Sequence, residues 1–484
     1  MRSPLRSRGS SSTVSRKTGP DRREGLLGSG ALYSLATVAP VLVSLLITPF
    51  ITRTLGAEGY GVVGIGITLY QFASIGLGLG LSTAITRHAI IGGTGVSGAT
   101  ALVWSGAGLA VIGGGVAVVL LPVWGSALLG DASDVETLVW PTLSAVALSV
   151  LTLCQSVFRA ISRVKTFVGL GMFSALAGPT IGLIAVASGH PEPGTYLTGL
   201  AAGHLIAALA ALLLLPRIPL SAFSLTELRS GLAIGLPTVP HSITGALVTI
   251  VLVAFATQVD GVAAGGRLQL ALFLGTAPML ILGAFNNSWA PMVYREPDAT
   301  RARFLSRSMQ AISVLVLGLV AFFCTLIEPV ARFIAGPHVY DQSLSTAALI
   351  TCAATPLMAL YLVNIHLVFL RGRTLALAAT TPLSGAVGIG AALWVFDLVG
   401  EPSIFALGLP VFHGCQALWA WWLGTRTGYP LVSITRSLPL LTIAFTLPIL
   451  TLWLQPPILV LALGCLIILT GAVAVNWRAI RELR

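Results

Sequence analysis

The stretch from Leu26 to Arg87 contains two long runs that have no charged side chain. The first run extends from Leu26 to Ile51 and the second from Val62 to Thr86, with a short polar segment between them. Each run exceeds the roughly 20 apolar residues that an α-helix needs to cross a hydrocarbon core about 30 Å thick. Because backbone groups in lipid must be hydrogen-bonded within the protein, such runs fold as helices. The stretch therefore predicts a transmembrane helical hairpin.

The composition extends this prediction to the whole chain. Of the 484 residues, 55% are apolar and 9% are charged, and the mean hydropathy is +0.93. Soluble domains usually have about 25% charged residues. The net charge of +11 does not indicate a nucleic-acid partner, because the basic residues lie between apolar runs and no nucleic-acid motif accompanies them. We therefore expect a polytopic membrane protein.

Fourteen apolar runs follow one another, and each is predicted to be a transmembrane helix. They are residues 26–51, 62–86, 99–123, 138–158, 167–187, 196–215, 232–256, 268–292, 311–327, 344–370, 375–396, 404–423, 438–454 and 458–475. The predicted fold class is all-α. We expect a disordered cytoplasmic tail over 1–25, six-helix lobes over 26–216 and 217–425, and the last two helices with a cytoplasmic C-terminus over 426–484.

The basic residues orient these helices. With the N-terminus inside, all Lys and Arg residues except Arg53, Arg267 and Arg332 fall on the inner side, as the positive-inside rule requires. The predicted outer loops carry acidic residues instead, among them Asp131, Asp134 and Glu401. We therefore predict a multi-pass protein of a bacterial cell membrane with both termini in the cytoplasm.

An internal repeat relates the two predicted lobes. The segment 29–39 and the segment 230–240 share Ser, Gly, Leu, Thr and Val at matching positions, and Glu58-Gly59 aligns with Asp260-Gly261. Six predicted spans separate the copies, so the copies have the same orientation. An axis along the membrane normal should relate them, with a substrate path between the lobes. Two such lobes are typical of a transporter.

The first hairpin also carries a family resemblance. Its motif residues are Thr48-Pro49-Phe50, Arg53 to Gly56, Glu58 to Gly61 and Gly78 to Arg87. They resemble the N-terminus of polysaccharide or O-antigen type flippases of the multidrug/oligosaccharidyl-lipid/polysaccharide exporter superfamily. The resemblance implies transfer of an undecaprenyl-diphosphate-linked oligosaccharide from the inner to the outer leaflet, by alternating access of two lobes, for cell-surface polysaccharide synthesis. It implies membrane lipids, a polysaccharide polymerase and glycosyltransferases as partners, and no cofactor.

Polar residues within the spans are candidates for the substrate cleft. The set predicted to bind substrate comprises Arg267, Arg53, Gln71, Asn286, Asn287, His241 and Asn364, and Gln155, Arg159, His204, His366 and His413 also lie within spans. Each has an alternative role in a helix-to-helix hydrogen bond. Arg267 can bind a diphosphate or form a pair with Asp260, and Arg53 can pair with Glu58.

Two other functions remain open at this stage. A multidrug or cation-coupled antiporter of the same superfamily would predict acidic residues deep in the helices, whereas the acidic residues here cluster at span ends. A membrane polysaccharide polymerase or ligase would need a sizeable outer loop with catalytic side chains, and the predicted outer loops are short. The five cysteines form no CxxC pair, which argues against a zinc site. We expect a flippase rather than an enzyme, with no metal.

Overall fold

The computed structural model describes residues 21–91, 94–130, 135–370, 375–426 and 433–481, and this part of the chain is almost entirely helical, without a strand. The first nine helices are α1 (Asp21–Leu77), α2 (Leu81–Ile91), α3 (Gly95–Val119), α4 (Leu121–Leu129), α5 (Val139–Ala160), α6 (Val164–Ala187), α7 (Pro193–Leu213), α8 (Leu225–Gly235) and α9 (Val239–Gly275). The remaining eight are α10 (Ala277–Arg295), α11 (Asp298–Val339), α12 (Gln342–Cys352), α13 (Ala354–Leu370), α14 (Leu375–Val399), α15 (Gly408–Thr425), α16 (Leu438–Leu454) and α17 (Ile458–Arg481). Short 3₁₀ turns occupy Val135–Leu138, Leu220–Ala222, Leu236–Thr238 and Pro402–Leu407.

Eleven helical segments among the described residues are long and apolar enough to cross a membrane, and the shorter helix α16 is also apolar. The segments Leu42–Leu77 and Leu225–Gly275 each extend over parts of two predicted runs, because the backbone is helical on both sides of Gly56 in the first and of Asp260 and Gly261 in the second. The all-helical membrane fold is confirmed, whereas the count of fourteen spans stays a prediction. Helix α1 begins at Asp21, within the segment predicted as a tail; the rest of that prediction, over 1–20, lies outside the described residues.

Four helix-to-helix turns share one backbone conformation. Gly56 (φ 68°, ψ −168°) and Gly130 (φ 65°, ψ −165°) occur in the first part of the chain. Gly261 (φ 80°, ψ 174°) and Gly336 (φ 66°, ψ 179°) occur 205 and 206 positions later, respectively. This region of φ and ψ is essentially restricted to glycine. The same turn therefore recurs at matching positions, which supports the internal repeat.

The register of the repeat differs from the sequence alignment at this turn. The alignment paired Gly59 with Gly261, but the residue with positive φ in the first turn is Gly56, and Gly59 lies in the helical part of α1. The second arm of α1 begins directly after Gly56. The dipeptide Glu58-Gly59 consequently belongs to that arm and not to the turn, so the pairing with Gly59 was wrong by three positions.

Helices α1–α7 are called the first half here and α8–α15 the second half; the division into two lobes stays a prediction. A hydrophobic cluster that includes Leu81, Leu102 and Phe158 joins α2, α3 and α5 in the first half. A larger cluster joins the helices of the second half to the second arm of α1. Helices α16 and α17 pack on α11. The interface between the halves is therefore formed mainly by α1 and α9.

Candidate functional site

The two halves are in contact near Gly56 and Gly261, at the end that the loop charges predict to be outside. A Cβ atom on Gly61 would lie 2.7 Å from the carbonyl carbon of Val262, so the two backbones leave no room for a side chain. Beside them, the hydroxyl of Tyr60 donates to Oε1 of Gln269 at 3.3 Å. The halves are consequently closed against each other at this end.

A second contact joins the halves at the end predicted to be inside. Gly80, at φ +66°, approaches Gly235 so closely that a Cβ atom would lie 2.7 Å from the carbonyl carbon of Gly235. Nearby, Nδ1 of His88 lies 3.1 Å from Oε2 of Glu227, and both side chains are mostly buried. The two halves are therefore in contact at both predicted ends.

A cavity of about 710 Å³ lies between the halves. Its wall is formed by α1, α3 and α4 on one side and α9 on the other, and includes Leu69, Phe72, Ala73, Leu128, Leu247, Val251, Ala254 and Phe255. Two polar side chains in the wall donate to backbone carbonyls: Trp124 to Ala117 at 3.0 Å, and Gln258 to Ser126 at 2.9 Å. Because its wall is almost entirely apolar, this cavity is suited to hydrocarbon.

A polar cavity of about 380 Å³ lies within the first half, between α1, α5, α6 and α7, and is called the polar chamber. It brings together the predicted residues Gln71, Gln155 and His204, together with Tyr70 and Thr152. Gln71 is exposed, whereas His204 is only 5% exposed. Three separate helices therefore place intramembrane polar side chains around one chamber.

In the second half, three predicted polar residues are bonded to side chains of neighbouring helices. Nε2 of His366 lies 2.9 Å from Oδ1 of Asn286, and the Tyr294 hydroxyl lies 3.0 Å from Nδ1 of His366. Nδ1 of His241 lies 2.7 Å from the hydroxyl of Thr381. These contacts join α10 to α13 and α9 to α14, which is the helix-to-helix role that was given as the alternative.

Two other predicted residues of the second half have different environments. Asn364 is 7% exposed and donates to the carbonyl of Leu360 one turn earlier in its own helix. Asn287 is exposed on α10. The predicted cleft residues are therefore divided among several environments, and their role in binding substrate stays a prediction.

The two predicted arginines lie near the glycine turns. Nε of Arg267 lies 3.0 Å from the carboxylate of Asp341, and its Nη2 lies 3.6 Å from Asp260. A small cavity there is also lined by Glu401, so one guanidinium shares this site with three carboxylates. This environment corresponds to the structural alternative for Arg267, extended by Asp341, and its negative charge is unfavourable for a diphosphate.

Arg53 connects the halves through backbone carbonyls. Its guanidinium donates to Pro49 at 2.6 Å and to Phe333 of α11 at 2.8 Å. Among the described residues it forms no ion pair with Glu58, so the expected alternative for Arg53 was wrong. The guanidinium carbon of Arg53 instead lies 5.5 Å from the centre of the Phe333 ring.

Sequence reasoning missed the apolar cavity and the contact between His88 and Glu227. The cavity is lined by Ala, Leu and Phe, which also form ordinary helix interfaces, so the sequence carries no signal for it. His88 and Glu227 are 139 positions apart and lie near predicted span ends. A polar residue at the inner end of each of two predicted spans was the available signal.

Comparisons with known proteins establish the fold. No protein-family model and no curated protein sequence matches the chain. The solved structure of the lipid II flippase MurJ in an inward-closed conformation is similar, with a TM-score of 0.66 and 12% identity, over 94% of this chain and 100% of that chain.

Two further solved transporters are similar. An inward-facing multidrug resistance MATE family transporter has a TM-score of 0.60 and 17% identity, over 84% of this chain and 98% of that chain. A MOP superfamily transporter from Pyrococcus furiosus has a TM-score of 0.58 and 16% identity, over 82% of this chain and 95% of that chain. At these identities the similarity is one of fold. The chain has the fold of the MOP superfamily transporters.

Proposed function

We propose that this protein is a flippase that moves an undecaprenyl-diphosphate-linked oligosaccharide from the inner to the outer leaflet for cell-surface polysaccharide synthesis. The two halves would alternate between states that are open at one end and closed at the other. Residues on α1 and α9 would move past each other during this change, because these helices form most of the interface between the halves.

The apolar cavity is the observation that carries this proposal. A lipid-linked substrate has a head group that must be shielded from hydrocarbon and a chain that must remain in an apolar environment. The cavity of about 710 Å³ has an apolar wall, and the polar hydrogens of Trp124 and Gln258 within it are bonded to backbone carbonyls. A site with this wall suits a prenyl chain and offers few polar groups to a free polar solute.

The C-terminal helices give additional support. The similarity to the lipid II flippase extends over 94% of this chain. The similarity to the two other transporters extends over 84% and 82% of this chain. Helices α16 and α17 pack on α11, and many of their apolar side chains are exposed, among them Leu459 and Ile467. A lipid-linked substrate would meet such a surface as it approaches through the bilayer.

A multidrug or cation-coupled antiporter is the second candidate, and the fold similarity to the MATE family transporter favours it. Coupling to a cation would be expected to need a carboxylate within the membrane. The acidic residues of the described spans lie near helix ends: Glu58 beside the Gly56 turn and Asp260 directly before Gly261 are examples. This distribution favours the flippase.

Reconstitution into vesicles tests the proposal. The vesicles contain a fluorescently labelled undecaprenyl-diphosphate oligosaccharide, and a membrane-impermeant reductant reports how much of the label reaches the outer leaflet. We expect the protein to make label from both leaflets accessible. Uptake of an organic cation such as ethidium, without movement of the labelled lipid, would instead identify a multidrug transporter.

A pair of tryptophan variants tests the apolar cavity itself. Ala254→Trp places an indole in the cavity, and we expect flipping to slow at least about tenfold, which corresponds to ~1.4 kcal/mol. Leu213→Trp is the matched control, because Leu213 is 85% exposed on α7. Equal rates for the two variants at equal protein abundance would refute the role of the cavity.

A further inference from the structure

The polar side chains that line the chamber of the first half are uncharged. Its volume is about 380 Å³, within the size range of small-molecule sites. The polar lining comprises Ser44, Tyr70, Gln71, Thr152, Gln155, Ser174 and His204, and none of the described lining side chains is charged. The chamber can therefore offer hydrogen bonds, but no counter-charge for an ionised ligand.

His204 has an unsatisfied ring nitrogen at this chamber. The side chain is 5% exposed, and its Nδ1 has no hydrogen-bond partner among the described residues. The edge of its ring is packed against Tyr70, with the ring centres 5.3 Å apart. A buried polar atom without a partner costs free energy unless a ligand supplies the missing bond. Because His204 lines the chamber, a ligand with hydroxyl or amide groups there would offer a partner to this ring.

The second half provides an internal contrast. Both ring nitrogens of His366 have protein partners, at 2.9 Å and 3.0 Å, and Nδ1 of His241 has a partner at 2.7 Å. These contacts hold helices together. Nδ1 of His204 has no such partner in the described structure, a property that it shares with Nδ1 of His413, and of these two histidines it is His204 that lines the chamber.

The neighbouring amide is held in place. Nε2 of Gln155 donates to the carbonyl of Phe167 at 3.2 Å. Gly171 keeps the space beside this amide, because a Cβ atom at Gly171 would lie 3.2 Å from Nε2 of Gln155. The carboxamide oxygen of Gln155 remains an acceptor for a ligand. Together with His204, Gln155 provides oriented, neutral hydrogen-bonding groups on two helices.

Helix α1 separates this chamber from the apolar cavity. Tyr70 and Gln71 line the chamber, whereas Leu69, Phe72 and Ala73 line the apolar cavity. The spacing of the latter three puts them on one face of the helix, and the two polar residues lie on the other. A polar site and an apolar site are therefore adjacent, with one helix between them.

We propose that the polar chamber binds the glycan of the lipid-linked substrate and selects neutral sugars over uronic acids. The proposal rests on the flippase function. Sugar hydroxyls donate and accept hydrogen bonds, as do the groups that line the chamber. A sugar carboxylate would be desolvated there without a cation to pair with it, which is strongly unfavourable. The diphosphate must accordingly be bound elsewhere.

The test measures binding separately from transport. Saturation-transfer NMR, with the full chain in nanodiscs, compares soluble trisaccharides of N-acetylglucosamine with trisaccharides that contain glucuronic acid. We expect the neutral trisaccharide to bind and the acidic one to bind at least about tenfold more weakly. Equal binding of the two sugars, or no binding of the neutral one, would overturn the proposal.

Variants locate the binding. His204→Phe and Gln71→Leu should each weaken binding of the neutral trisaccharide about tenfold, the factor for a lost hydrogen bond worth ~1.4 kcal/mol. His413→Phe is the matched control, because His413 in α15 is another histidine whose Nδ1 atom is buried and lacks a partner in the described structure. Gln71 is exposed, so its variant remains informative if His204→Phe does not fold.

The outcomes separate this proposal from the flippase function. Binding that is unchanged in both chamber variants would refute the site. Neutral-sugar binding that depends on His204 and Gln71, without movement of labelled lipid in vesicles, would support the site and refute the flippase. Lipid movement in vesicles, with sugar binding unaltered in the variants, would support the flippase function and refute the site.

Discussion

Replacing Gly61 with alanine should open the contact between the halves near the Gly56 turn. A Cβ atom at this position would lie 2.7 Å from the carbonyl carbon of Val262, whereas ordinary contact begins at 3.4 Å. The carbonyl oxygen of Val262 would lie nearer still, so the backbones of α1 and α9 would have to separate by at least about 0.7 Å. A backbone carbonyl cannot rotate away as a side chain can. We expect the closed arrangement to lose about 1 to 3 kcal/mol, the usual range for overpacking.

This loss converts into a shift between conformations. If the closed and open arrangements are in equilibrium, 1 to 3 kcal/mol changes their ratio by roughly 5- to 150-fold. Spin labels at Ser188 and Asp397 can report the change, because both residues are exposed and lie at the ends of α6 and α14. Double electron–electron resonance in nanodiscs, in a background without the native cysteines, should show a larger population of the longer distance.

The control for this prediction is Gly108→Ala in α3. A Cβ atom at Gly108 meets no atom within 4 Å, so this variant makes the same chemical change without a clash. Its distance distribution should equal that of the unmodified protein. If Gly61→Ala also gave this distribution at normal abundance, the close contact between α1 and α9 would not determine the closed state, and the reasoning would fail.

Two further predictions concern the turns and the arginine beside them. Gly56→Ala should lower stability by about 1 to 3 kcal/mol. The loss would come from backbone strain alone, because φ is +68° and a Cβ atom would meet nothing within 4 Å. Thermal unfolding in detergent measures this loss against Gly108→Ala, and an unchanged midpoint of unfolding would contradict the prediction. Arg267→Ala should lower stability by at most about 1 kcal/mol, because it removes the cation between Asp260 and Asp341, and the flipping rate per folded protein should be unchanged. Loss of flipping at full stability would instead favour diphosphate binding by Arg267.

The membrane fold could be predicted from the sequence because lipid imposes strong local rules. An uncharged run such as Leu26 to Ile51 has few alternatives to a helix, since each exposed backbone group would be unsatisfied in hydrocarbon. The repeat was also detectable, because the glycine turns at Gly56 and Gly261 need a residue that tolerates positive φ. The exact register of the repeat was not detectable, because Gly59 and Gly56 are equally acceptable as the turn residue in the sequence. Only the backbone angles distinguish them.

What the sequence by itself determined is therefore the class of the protein, its helices and the set of its intramembrane polar residues. The tertiary structure decided what those residues do. Gln155 and His204 meet at one chamber, whereas His366 is satisfied by Asn286 and Tyr294, and Arg267 has Asp341 as a partner 74 positions away. Hydrophobic periodicity could not reveal this, because lipid is as apolar as the protein interior and all faces of a membrane helix are therefore apolar. Which face points towards a cavity is set only when the helices pack together.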